Sequence, residues 1–137
     1  MPEIARTAHE MISRMDPRLR DGAFVFATLT KPAPDLAAQA IASFAEDEGL
    51  SLILPLEVAE GAGLDGTQPM RCITLHVHSA LDGVGLTAAV AGVLARHGIA
   101  CNMVAAFHHD HAFVPAQQAE GALQVLRALQ QQSTMAP

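Results

Sequence analysis

The residues best equipped for chemistry lie in one run, His78-Ser79-Ala80-Leu81-Asp82-Gly83-Val84-Gly85-Leu86-Thr87. Gly83 and Gly85 permit close backbone approach or a positive φ. The helix predicted to follow would open with free N–H groups and partial positive charge, suited to a carboxylate. Asp82 offers the opposite charge, suited to an ammonium group. Together these groups can read both ends of a free amino acid, with Ser79, Leu81 and Val84 as the other side chains of the ligand loop. The simpler alternative is that Ser79 or Asp82 only caps the turn. The run is not a phosphate loop, because the GxGxxG order and the terminal Lys-Ser/Thr are both missing.

A second chemical possibility is metal binding by histidines. His76, His78, His108, His109 and His111 fall near the ends of two strands expected to be neighbours, and His76 and His78, two apart, would face the same way. A three-ligand transition-metal site could draw on His76, His78, His109 and His111 with Asp110. No HExxH, no CxxC pair and no other diagnostic spacing accompanies them. The alternative is that some of these rings hydrogen-bond across a hairpin, with Asp110 orienting His109 or His111, while others are solvated.

Catalytic arrangements are poorly represented. Ser79, His78 and Asp82 could be drawn as a nucleophile system, but adjacent residues point in opposite directions and no GxSxG elbow surrounds the serine. Cys72 is expected within a sheet, where nothing lowers a thiol's pKa. Glu46, Asp47 and Glu48 read as a solvated turn. Met11 and Met15 read as core filling, His97 as a helix C-terminal cap, and Arg71 as a surface pair. The expectation is a binding or regulatory protein, not an enzyme, with no cofactor; the alternatives are a metal-dependent enzyme or metal-binding protein using His76, His78, His109 and His111, and a structural protein–protein interaction module without ligand.

Those residues must be carried by a small scaffold. The chain has 137 residues, of which 50% are hydrophobic and 16% charged, enough apolar content for a buried core. With 5 Phe and no Trp or Tyr, a multi-aromatic ligand cage is excluded. A net charge of −6 and the lack of interleaved basic and aromatic residues argue against nucleic acid. Cys72 and Cys101 lie far apart in sequence, and free buried thiols in a reducing compartment are the expected state. No stretch is long enough to span a bilayer and the N-terminus lacks a signal-like apolar run, so a cytoplasmic location is expected.

Periodicity supplies the elements. Ile4, Ala8, Met11, Ile12 and Met15 have helical spacing, and GAFVFATL reads as a strand. AAQAIASFAEDEG is open to either state; a hairpin from Ala40–Phe44 into LSLILP is favoured because Gly49 suits a tight turn. Pro55 can start a short helix. GLDGTQP is the natural boundary, separating an N-terminal module (1–65) from a C-terminal one (69–130), with 131–137 expected to fray. In the latter, Cys72–Val77 alternates as a strand. Leu86, Ala89, Val90, Val93, Leu94 and His97 form a helical stripe ended by Gly98. Ile99–Phe107 and Ala112–Val114 follow as strands, and Ala119, Ala122, Leu123, Leu126 and Leu129 mark a last helix. Two helices would cover one sheet face, leaving the other for a second copy, so a homodimer is expected.

The run MRCITLHVHSALDGVGLTAAVAGVLARHGIACNMVAAFHHDHAFVP resembles the C-terminal module of small bacterial proteins with paired ACT-type domains, and is similar to a segment of cytosolic amino-acid sensors. SRMDPRLRDGAFVFATL, IASFAEDEGLSLILP and LEVAEGAGL resemble the companion module before it. The resemblance covers roughly residues 11–129 and rests on motif order. It implies an α+β, ferredoxin-like βαββα(β) C-terminal module with a smaller, atypical ACT-like N-terminal α/β module, dimeric or pseudo-dimeric assembly, and a free amino acid as the partner. It implies a ligand at the loop 78–87, with Asp82, Gly83 and Gly85 in the leading positions and Asn102 and Val104 completing a pocket wall. It also favours the strand at Ala40–Phe44. The final strand of an ACT unit is not evident after Leu129, so the N-terminal portion is expected to supply that pairing. No attached catalytic domain is expected.

Overall fold

The computed structural model describes residues 4, 5 and 7–135. They form two compact units. One joins the N-terminal residues through Arg20 to everything from Arg71 onward, and the other is Asp21–Met70. The compact units therefore do not divide where GLDGTQP suggested. The N-terminal segment through Arg20 groups with the C-terminal half because its backbone is bonded there.

The first unit contains α1 (Ala8–Ser13), β1 (Pro17–Leu19), the strand β5 (Met70–Leu75), α4 (Leu86–Arg96), β6 (Asn102–Ala105), β7 (Asp110–Pro115) and α5 (Ala119–Met135). β1 pairs antiparallel with β5, Pro17 opposite Leu75 and Leu19 opposite Ile73. β5 also bonds to β7, which pairs antiparallel with β6. The N-terminal portion thus supplies the strand expected to be missing after Leu129. Ile73 and Leu75 turn one sheet face towards Met11 of α1, Val90 and Leu94 of α4, and Leu123 and Leu126 of α5, forming the core. Cys72 and Thr74, which alternate with them along β5, are buried as well.

Several boundaries differ from the sequence expectation. α1 starts only at Ala8, because Thr7 and Glu10 form a capping box in which the Glu10 N–H donates to Thr7 Oγ1 at 3.1 Å. Ile4 therefore lies outside the helix. β5 stops at Leu75, and β6 covers only the middle of the predicted Ile99–Phe107 strand. A 3-10 turn over Ala116–Gln118 precedes α5, which runs to Met135, so residues 131–135 of the expected tail are helical, and residues 136 and 137 lie outside the described residues.

The second unit contains β2 (Phe24–Leu29), a short α2 (Pro34–Ala37), β3 (Ala42–Glu46), β4 (Gly49–Pro55) and α3 (Leu56–Gly61). β4 pairs antiparallel with both β2 and β3, which are consequently parallel to each other. The hairpin favoured for AAQAIASFAEDEG is present, with Glu46 opposite Gly49. Val25, Leu52 and Leu54 pack with Ala59 of α3 and with the half-buried Leu36 and Ala37 of α2. α2 had no counterpart in the sequence reading; Pro34 opens it in the first turn, where proline is tolerated.

Both ends of α4 rest on glycine. At the C-terminus Gly98 has φ 70°, and the Gly98 N–H donates to Ala95 O at 3.0 Å while the Ile99 N–H donates to Leu94 O at 2.9 Å, a Schellman closure. At the N-terminus Gly85 has φ 115°, and a Cβ there would lie 2.7 Å from the Ala8 Cβ. A Cβ at Gly98 meets nothing within 4 Å. Gly98→Ala should therefore cost about 1–2 kcal/mol, from left-handed backbone strain alone. Gly85→Ala adds a steric clash with α1 and should cost at least about 3 kcal/mol. Urea unfolding of both variants checks the ordering.

Candidate functional site

β5 delivers the chain to the loop His78–Gly85, and the N-terminal segment holds that loop in place. The Ala5 N–H donates to His78 O at 2.9 Å, and the Ala80 N–H donates to Ala5 O at 3.0 Å. Ala5 is fully buried. The Gly83 N–H donates to Ala80 O at 2.9 Å, closing a turn. α4 then opens at Gly85, which has no side chain to cap it. The first bond of its ladder runs from the Ala89 N–H to Gly85 O at 2.9 Å, so the N–H groups of Leu86, Thr87 and Ala88 precede that ladder.

Beside this loop lies a cavity of about 130 Å³. It is lined by Met11 of α1, by Ser79, Ala80, Leu81, Gly83, Gly85, Leu86 and Thr87 of the loop and helix start, and by Ala105, Ala106 and Asp110 of the β6–β7 hairpin. Ser79 Oγ donates to Asp110 Oδ2 at 3.2 Å. The cavity therefore has an electropositive side at the α4 N-terminus and an acceptor side at Asp110.

The sequence-derived site is brought together only in part. Ser79, Leu81, Gly83 and Gly85 line the cavity, although Leu81 is 76% exposed. Asp82 is exposed and Val84 is 82% exposed, and neither lines it. Asn102 and Val104 are absent from the lining for a geometric reason. They sit opposite Phe113 and His111, whereas Met103 and Ala105 sit opposite Ala112 and Asp110. Side chains alternate along a strand, and Ala112 packs into the helical core. Ala105 and Asp110 share that side; Asn102 and Val104 project from the other. Asp110 is the acid that the sequence reading assigned to histidine orientation. Its pairing opposite Ala105 puts it at the cavity instead, a consequence of hairpin register.

Four of the histidines form one row of neighbouring rings. β5 ends at Leu75, before His76 and His78; the His76 ring lies 5.1 Å from that of His109, the His109 ring 6.4 Å from that of His108, and the His108 ring 6.1 Å from that of His78. Among the described residues no three His, Cys, Asp or Glu side chains converge as a metal site. His97 caps its own helix, its Nδ1–H donating to Val93 O at 2.9 Å. Both cysteines are free thiols, and burial pushes each thiol's pKa up, so neither is an activated nucleophile.

His111 shares a 2.9 Å hydrogen bond with the buried Thr74 hydroxyl. Burial lowers its pKa below the ordinary 6.5, and the Arg20 cation and His109 lower it further. His76 shifts the same way, through loss of solvation and the nearby Arg18, but it is more exposed. A depressed histidine favours the fold in its neutral form, so its stabilisation is complete above the unfolded-state value and is lost as pH falls through the folded one. Stability should therefore decline as pH is lowered below about 6.5, and His111→Asn should flatten the decline. Urea midpoints between about pH 7.5 and 5 measure the slope.

Comparison with known proteins divides the chain near residues 67–71, unlike the compact units, which group the segment through Arg20 with the C-terminal half. Residues 6–71 and residues 67–128 each match a family model described as an ACT domain. No match among curated proteins was found. Among solved structures, a Vibrio cholerae protein of unknown function, described as a possible transport protein, is 45% identical, with a TM-score of 0.78 over 87% of this chain and 92% of its own. An Agrobacterium tumefaciens protein is 20% identical, with a TM-score of 0.68 over 83% of this chain and 87% of its own. The regulatory subunit of aspartate kinase from Thermus thermophilus, in its ligand-free form, is 14% identical, with a TM-score of 0.55 over 82% of this chain and 95% of its own. The last two show a shared fold. With one match over each half, and a relative this similar over nearly its whole length, the chain belongs to the ACT-domain family and carries two such domains in tandem.

Proposed function

We propose that this protein is a non-enzymatic regulatory module that binds a free amino acid in the cavity between the loop 78–87 and the β6–β7 hairpin. The observation that carries this reading is the cavity's polarity. A zwitterion's carboxylate would meet the uncapped N–H groups at the start of α4, and its ammonium would meet the Asp110 carboxylate, which Ser79 orients. Asp110 takes the role that the sequence reading gave to Asp82. The ACT matches support the regulatory class.

The amino-acid reading is tested by thermal denaturation against a panel of the standard amino acids. A ligand at a hundredfold excess over its Kd adds about 2.7 kcal/mol to apparent stability, a shift of several degrees. Losing one charge-assisted hydrogen bond worth about 1.5–3 kcal/mol should weaken binding ten- to a hundredfold in Asp110→Ala. No shift with any amino acid, or an undiminished shift in Asp110→Ala, contradicts the assignment.

The module is further proposed to act as a homodimer. In the second unit Phe26, Thr28, Ser51 and Phe44 fall on one side of the sheet by register. Phe26 is 47% and Phe44 73% exposed, an apolar surface that a second copy would cover. No helix among the described residues is long and apolar enough to cross a membrane, and the proposal places the dimer in the cytoplasm. Light scattering should give twice the 14.4 kDa chain mass, and Phe44→Glu should shift it to monomer; a monomeric wild type contradicts the dimer.

A further inference from the structure

The groups assigned above read the carboxylate and ammonium that all free amino acids share, so discrimination must come from what surrounds the side chain. This inference rests on the amino-acid reading of the cavity. The lining residues able to meet a ligand side chain from the protein core are Met11 and Leu86. Leu86 belongs to the first turn of α4. Met11 comes from α1, a helix far away in sequence, and is only 1% exposed.

α1 is fixed by bonds at both ends. Its start carries the Thr7–Glu10 capping box, and Ala8 abuts Gly85, where even a methyl group would collide. Its far end is tied to α5, as Gln130 Nε2–H donates to Ser13 O at 3.0 Å and the Asp16 N–H donates to Gln130 Oε1 at 3.1 Å. The Met11 wall therefore cannot retreat without breaking these contacts. The space it leaves, about 130 Å³, falls well below the range of about 300–1,000 Å³ usual for drug-sized ligands.

We propose that Met11 is the size gate of the cavity, restricting it to a free α-amino acid with a small side chain, of the glycine, alanine or serine class. A leucine, methionine or aromatic side chain would have to displace the Met11 thioether into a packed core. Specificity is set by a residue outside the loop that reads the ligand's charges.

Calorimetric titration of the wild type, Met11→Ala and Met11→Val with glycine, alanine, serine, leucine and methionine tests the gate, with circular dichroism melting confirming that each variant is folded. The wild type should bind at least one of the small amino acids, and bind leucine and methionine at least tenfold more weakly. Met11→Ala should reverse that ranking, with leucine or methionine gaining tenfold or more. Met11→Val, a milder truncation, should move the same way and keeps the test available if the alanine variant does not fold. Wild-type binding of leucine as tight as that of alanine, or an unchanged ranking in the folded variants, overturns the gate while leaving amino-acid binding intact. No binding of any amino acid to the wild type overturns both.

Discussion

The backbone pairing of the N-terminal segment with the C-terminal half is the constraint on which the first unit depends. β1 bonds along β5, and Ala5 bonds to both sides of the loop that follows β5. These contacts span most of the sequence, so closing them costs chain entropy that local structure alone would not repay. The return is large. β1 gives β5 its second partner strand, α1 covers the core beside α5, and Ala5 clamps His78–Ala80 in place. Without that segment the unit would lose a strand, a helix and one wall of its cavity together.

The same arrangement places two opposite polar features around one small cavity. An uncapped helix start and a carboxylate face one cavity, and each is poorly compensated by apolar neighbours such as Leu86 and Met11. Favourable charge at a helix N-terminus is worth about 0.3–1 kcal/mol at exposed sites and up to about 2 kcal/mol when partly buried. Ser79 donates to Asp110, which orients the carboxylate; in the proposed function that preorganisation would reduce the ordering cost of binding. The opposite side of the sheet is a different chemical environment. There His111, Thr74 and Cys72 sit close together with raised thiol and lowered imidazole pKa values, the pattern of neutral groups packed away from water.

Legibility of the sequence followed the strength of local periodicity. The Leu86–Leu94 stripe and the Leu52–Leu54 strand were readable because apolar residues recur at the period of their element and glycines punctuate the ends. β1 was not, since Pro17–Leu19 is too short to show any period and sits among turn-like residues; only its pairing with β5 makes it a strand. The loop 78–87 was readable as a candidate site from its glycines and helix start. The rest of the site was not readable, because β6 mixes Asn102, Met103, Val104 and Ala105 with no alternation to mark its core face. The buried Ala112 and Val114 on β7 settle the register, which excludes Asn102 and Val104 and brings in Asp110. Met11 looked like core filling on a helical stripe, and it is buried as expected; that it also walls a cavity is a tertiary fact with no local signature.

The central claim is that a free amino acid occupies the cavity between the α4 N-terminus and Asp110, and backbone amide NMR during titration with glycine, alanine and serine tests it most directly. The account predicts saturable shifts concentrated at residues 79–87, 105–106 and 110 and at Met11. Amides that stay unchanged at millimolar ligand, or shifts confined to the Asp21–Met70 unit, would contradict it.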